Sequence, residues 1–292
     1  MTISSYFRLI VLSAIWGSSF LFMRILAPVL GAVVTANLRI LIAGLALVIY
    51  FTLLRVNLNW KRDFKFYALI GVINSAIPFS LYAYGAKYIP ASYEVILNST
   101  APIFGFIFSV LILKEKIIWK QILGMVISMI GIIIVVNPQN NNLTLEFILS
   151  IFACLLAALL YGFSATLIKK YGKEVSPKGI ASGSQLIAAM IFIPISLTQM
   201  PVNFLSLFNY KIIFALFALA LMCSSVAYLL YYRLIVDIGA TKALSVTFLM
   251  PIFGILWGYL FLNEAITLAM ILGTVLILIG TYLVVLKSGR SK

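Results

Sequence analysis

An all-α polytopic membrane protein, with ten transmembrane helices arranged as two inverted five-helix repeats, is the fold that these 292 residues predict. Three observations lead there. The chain is 64% hydrophobic and 10% charged and has no histidine, a composition foreign to ordinary soluble domains of this length. Apolar windows of about 20 residues, enough to cross a bilayer core roughly 30 Å thick, recur almost without interruption. A shift of 149 positions brings the second half of the chain onto the first.

The spans are expected near residues 7–26, 31–54, 65–86, 91–113, 118–136, 146–168, 178–198, 211–232, 241–262 and 267–286. Helices are required because lipid offers backbone groups no hydrogen-bond partners, and long apolar runs exclude the alternating strands of a barrel. The first window is too long for a signal peptide, lacks a clear small-residue cleavage site and precedes nine more spans. It reads as the first helix.

The net charge of +14 does not form a nucleic-acid stripe, because the basic residues are scattered over short loops. With the N-terminus inside, seventeen of the 21 Lys and Arg residues fall on the cytoplasmic side, and Arg24, Arg39, Lys87 and Lys211 fall toward the other. The positive-inside rule then places both termini in the cytoplasm. Cys154 and Cys223 lie within spans and read as small buried apolar residues. Asn142-Leu143-Thr144 matches a glycosylation sequon, a pattern too common to carry weight.

The repeat is visible residue by residue. At the 149-residue shift Ala91 meets Ala240, Pro102-Ile103-Phe104-Gly105 meets Pro251-Ile252-Phe253-Gly254, and Glu115 meets Glu264. Gly124 and Gly131 meet Gly273 and Gly280. Nearer the start a shift of 145 brings Trp16-Gly17 onto Tyr161-Gly162, Ser19 onto Ser164 and Arg24 onto Lys169. The repeats are residues 1–138 and 139–292, and five spans in each reverse the second copy, the arrangement of an alternating-access transporter. Pro102 and Pro251 should bend spans four and nine near their middles and act in gating. The glycine pairs, seven residues apart, give one helix face for close packing.

Taken in order, Trp16-Gly17-Ser18-Ser19-Phe20, Arg24, Arg39, Pro102, Leu113-Lys114-Glu115, Gly124 and Gly131 resemble the drug/metabolite transporter superfamily, in particular its EamA-type ten-helix branch. The resemblance covers nearly the whole chain. It implies a central cavity lined by spans one, three, four, six, eight and nine, with the three/four and eight/nine hairpins as gates. The second copy departs from the pattern: Tyr161 stands for Trp16, Leu262-Asn263-Glu264 for Leu-Lys-Glu, and span seven has no counterpart of Arg39. The resemblance also implies a cell inner membrane and efflux of an amino acid or related compound.

The residues themselves nominate a substrate-binding set of Trp16, Ser19, Asn74, Tyr82, Asn98, Tyr161, Tyr228, Tyr231 and Thr247, joined by Ser99, Ser164 and Ser224. Aromatic rings with few fixed charges suit a small organic solute with an apolar or cationic part, oriented by amide and hydroxyl groups. Arg24, Arg39 and Lys87 are expected too near the outer side to line the centre. Arg39 and Glu94 form a candidate coupling or ion pair; otherwise Arg39 bonds helix-end carbonyls and Glu94 occupies the favourable first turn of its helix. Glu115 and Glu264 lie at opposite faces of the membrane, where each can cap the following helix.

The expected partners are a small-molecule substrate and the lipid bilayer, with no nucleic acid and no cofactor. The chain is compatible with a monomer or a homodimer, and Glu94 or a tyrosine would have to relay a coupling proton. Uptake or exchange of quaternary amines or nucleotide-linked metabolites is the alternative within transport. A membrane-embedded enzyme would need a convergent set of acid, base, nucleophile or metal ligands that the seven acidic residues do not supply, and an assembly subunit would leave the repeat unused.

Overall fold

The computed structural model describes residues 3–136, 144–207, 209–239, 243 and 245–285. Asn142 and Leu143 of the sequon, Ala240, Lys242, Lys287, Arg290 and Lys292 lie outside them. Ten helices follow: α1 (Ile3–Leu30), α2 (Ala32–Leu53), α3 (Trp60–Gly85), α4 (Ala91–Leu113), α5 (Trp119–Val136), α6 (Leu145–Tyr171), α7 (Pro177–Thr198), α8 (Tyr210–Ile238), α9 (Val246–Leu262) and α10 (Leu268–Val285). Nine are long and apolar enough to cross a bilayer among the described residues, and α9 is a shorter apolar helix.

Local chemistry explains the joints. A single residue, Gly31, turns α1 into α2 at φ 86°, ψ 158°, a conformation that a Cβ strains. We expect Gly31→Ala to cost about 1–2 kcal/mol, read as a lowered unfolding midpoint of the detergent-solubilised protein. α6 starts at Thr144, whose hydroxyl accepts from the Phe147 N–H at 3.2 Å, and α8 starts at Asn209, whose amide oxygen accepts from Lys211 and Ile212. Both satisfy amides that a helix start leaves unpaired. Lys114 and Asn263, equivalent in the two repeats, both end their helices at positive φ.

Two helices widen at matching depths. α3 is π-helical over Val72–Ala76, two residues before Pro78, whose missing N–H removes an ordinary helical bond. α8 is π-helical over Ala218–Val226, where the hydroxyls of Ser224 and Ser225 donate to carbonyls five residues back at 3.4 Å. π segments are rare and concentrate at functional sites; these bring Asn74 and Ser224 toward the bundle centre.

The prolines of the repeated motif behave differently from expectation. α4 breaks at Ser99-Thr100, and Pro102 sits at the second position of the new helix Ala101–Leu113, where its missing N–H costs nothing. The exposed carbonyl of Ser99 is taken by the Thr281 hydroxyl of α10 at 3.1 Å. α9 instead runs as one helix from Val246 through Pro251 to Leu262. Pro251 therefore makes no break matching that at Pro102.

The helices pack across the repeats. α5 lies on α10 with Gly124 facing Gly280 and Gly131 facing Gly273, and α2 lies on α7 where Gly44 meets Leu186. α1 crosses α9 at Gly17 and Gly254, and α4 crosses α6 at Gly105 and Gly162. The main core, including Phe20, Met23, Val95, Cys154, Leu219 and Met250, is shared by both halves. Outward faces of α5 and α10 expose Val126, Met129, Ile133, Leu272, Val275 and Ile279, the side chains lipid would cover.

Candidate functional site

The two repeats meet at mid-depth in a set of rings that obeys the repeat. Tyr82 of α3 stacks on Tyr161 of α6 at 6.0 Å, while its equivalent Tyr231 of α8 packs on Trp16 of α1 at 5.2 Å. Each pair joins one repeat to the other, and the two pairs exchange under the shifts of 149 and 145. Phe20 and Phe79 extend the first pair; Tyr228 and Tyr232 extend the second. Trp16, Asn74, Asn98, Tyr161, Tyr228, Tyr231 and Thr247 are half-buried. Trp16, Asn74 and Tyr161 each have neighbours in the opposite repeat.

Polar groups tie this cluster together. The Tyr82 hydroxyl donates to the Asn98 amide oxygen at 2.9 Å, and the Ser164 hydroxyl donates to the Asn74 amide oxygen at 2.6 Å. The structure thus brings together Trp16, Ser19, Asn74, Tyr82, Asn98, Tyr161, Tyr228 and Tyr231. Thr247 sits in the first turn of α9. A separate cavity of about 540 Å³ between α1 and α8, lined by Phe22, Phe214 and Met222 among others, is almost wholly apolar and includes none of the predicted substrate-binding residues.

Arg39 does not stay near the outer side. Its side chain is 3% exposed; Nε donates to Ser224 Oγ at 3.0 Å, and Nη1 points to Ser19 Oγ at 3.4 Å. The guanidinium carbon lies 3.8 Å from the centre of the Phe79 ring. Ser19 and Ser224 occupy the middles of α1 and α8, so the charge reaches the centre of the membrane, where an unpaired arginine costs about 3 kcal/mol by insertion scales. The long side chain and the widened α8 explain the depth, which span position alone concealed.

Nor do Arg39 and Glu94 pair. Glu94 is fully buried in the first turn of α4 and faces α6 instead, with the Cys154 thiol donating to Oε1 at 3.9 Å. Its Oε2 has no partner among the described residues. Gly85 leaves it room: a Cβ there would lie 2.8 Å from both Glu94 Oε1 and Cys154 Sγ.

The hairpin glutamates also depart from expectation. Glu264, in the α9–α10 link, caps the start of α4 and not its own next helix: Oε1 accepts from Ala91 N at 2.7 Å, and Oε2 from Ser92 N at 3.0 Å and Ser92 Oγ at 2.6 Å. Every residue from Ala91 to Leu97 is buried, so the start of α4 is enclosed by its neighbours. Glu115 pairs with Lys169 Nζ at 2.6 Å. Phe79 and Tyr232 were not among the residues the sequence nominated, and Phe20 entered only within the motif of the resemblance; the two phenylalanines carry no polar group, and Tyr232 looked like one more tyrosine of an apolar helix.

Comparison with known proteins identifies the repeat. Residues 3–137 and 148–286 match the EamA-like transporter family. An uncharacterized transporter of Archaeoglobus fulgidus is 26% identical over 93% of this chain and 95% of its own length. The Bacillus subtilis transporter YoaV, likewise uncharacterized, is 21% identical over 97% of each chain. Protein PagO of Salmonella typhimurium is 30% identical over 60% of this chain and 58% of its own. A protein of solved crystal structure, 14% identical, shares the fold at a TM-score of 0.66 over 97% of this chain and 96% of that one. Two copies of the family's repeat, joined by ring contacts to which both contribute, make this multi-pass membrane protein a transporter of the EamA-like family.

Proposed function

We propose that the protein exports a small organic metabolite, an amino acid or related compound, across a cell inner membrane by alternating access, with both termini cytoplasmic. The observation that carries this reading is the pair of cross-repeat ring contacts, Tyr82 with Tyr161 and Tyr231 with Trp16, which exchange under the repeat. A site built by two inverted copies can be uncovered toward either side when the copies exchange their packing. The basic residues in the loops support the orientation. In that orientation the enclosed segment Ala91–Leu97 is external, and its burial supports reading this conformation as closed to the outside.

The test is counterflow in proteoliposomes with labelled amino acids, quaternary amines and nucleotide-linked metabolites. Entry of an amino acid is the expected result. Movement of only the other classes would replace the substrate assignment, and movement of nothing would overturn transport by this site.

Glu94 is the proposed proton carrier. A fully buried carboxyl with one unpartnered oxygen is best accommodated in its neutral, protonated form, and its position within the enclosed segment suits a group exposed only when that segment is uncovered. We expect Glu94→Gln to retain counterflow while losing accumulation driven by an imposed pH gradient. Unchanged gradient-driven accumulation in the variant would rule Glu94 out.

A further inference from the structure

We infer that Arg39 is the anion anchor of the transported solute, so that the site selects molecules carrying a single carboxylate, with the surrounding rings taking their apolar portion. This rests on the transport reading above and names the substrate feature it leaves open.

Arg39 is a cation without a counter-anion. Each ion pair among the described residues lies elsewhere: Arg8 with Asp237, Arg62 with Asp63, Lys169 with Glu115 and Arg233 with Asp237. The neighbours of Arg39 are neutral: two serine hydroxyls, the Met23 sulfur at 3.9 Å and the face of Phe79. Nη2 donates to no protein group among the described residues, although a guanidinium has five N–H donors in a fork that fits a carboxylate. The head group is not loose: α1, α8 and the Phe79 ring each hold it. A buried charge so fixed and so poorly matched is explained if its partner arrives with the solute.

The surroundings also set the charge of that partner. Arg24 of α1 donates to the Ala86 carbonyl at 2.5 Å and is not among the groups around Arg39. One cation, with no second lysine or arginine beside it, matches a monoanion better than a phosphate, which usually gathers several donors and charges. Tyr161, beside Phe79, and Trp16 with Tyr228 are the aromatic neighbours suited to an aliphatic or aromatic side chain. Their faces also suit an ammonium group, but no carboxylate reaches the guanidinium site to require one.

The experiment compares each acid with its neutral carboxamide, which has the same shape. Counterflow and ligand-induced thermal stabilisation would be measured on the full chain with amino acids, their carboxamides, quaternary amines and nucleotide-linked metabolites. We expect carboxylates to be preferred by the wild type. Arg39→Gln should lose roughly 30-fold or more of the affinity for the acid and little for the amide, so the preference collapses; Arg39→Lys should keep part of it. Should Arg39→Gln fail to fold, Ser224→Ala retains the charge but frees one side of it, and should weaken acid binding while sparing the amide. Equal binding of acid and amide by the wild type, or an unchanged preference in Arg39→Gln or Ser224→Ala, overturns the anchor. Movement of only quaternary amines or nucleotide-linked compounds also overturns it and leaves transport standing, whereas movement of nothing removes both readings.

Discussion

Gly162→Ala should destabilise the protein more than Gly17→Ala, although the two glycines are equivalent in the repeat. A Cβ at Gly162 would strike the backbone nitrogen of Gly105 and come within 2.7 Å of the Phe104 carbonyl carbon and 2.8 Å of its Cβ. Backbone cannot swing aside as a side chain can, so α4 and α6 would have to separate. The Thr166 hydroxyl, which donates to the carbonyls of both Gly105 and Gly162, would lose the first of these. At Gly17 the added carbon would lie 3.0 Å from Gly254 N, Met250 O and Phe253 Cβ, a misfit that a few tenths of an ångström relieves. Overpacking of this kind costs about 1–3 kcal/mol, and we place Gly162→Ala at the upper end and Gly17→Ala at the lower. Thermal unfolding in detergent checks the order; equal midpoints for the two variants would mean that the crossings are equally tight.

The same crossings show where sequence is informative. Helix length, span number and the repeat were legible because lipid imposes them: an apolar run must be long enough, and inverted copies keep their glycines and prolines in register. Gly124, Gly131, Gly273 and Gly280 were readable as one packing face because seven residues return nearly to the same side of a helix. What one side chain touches was not legible. In helices apolar on every face, periodicity no longer tells the core from the lipid side, so Phe79 looked like any other phenylalanine. Arg39 was misplaced in depth because its guanidinium lies far from its Cα and because the widening of α8 left no sequence mark. Pro102 and Pro251 share one motif but not one geometry, since the first follows a break that Thr281 stabilises from another helix and the second lies within a continuous one.

The largest functional effect outside the ring cluster should come from Glu264. Its carboxylate accepts three hydrogen bonds from the first turn of α4, and all three cross from the second repeat to the first. Charge-assisted bonds to helix-start amides are the stronger kind, reinforced by the positive end of the helix. They exist only while the α9–α10 link sits against α4, so they stabilise the closed conformation and contribute nothing once the start of α4 is uncovered. Losing them in Glu264→Ala removes about 2 kcal/mol from one state alone, which moves the equilibrium between the two by roughly 30-fold. Ser92→Ala deletes one bond of the three and should move it less. Spin labels on the α3–α4 and α9–α10 links would report the change as a population at longer separation, small in the wild type and dominant in Glu264→Ala. The same variant should bind solute offered from the α4-start side more readily. An unaltered distance distribution would show that the contact caps α4 without governing which side of the site is open.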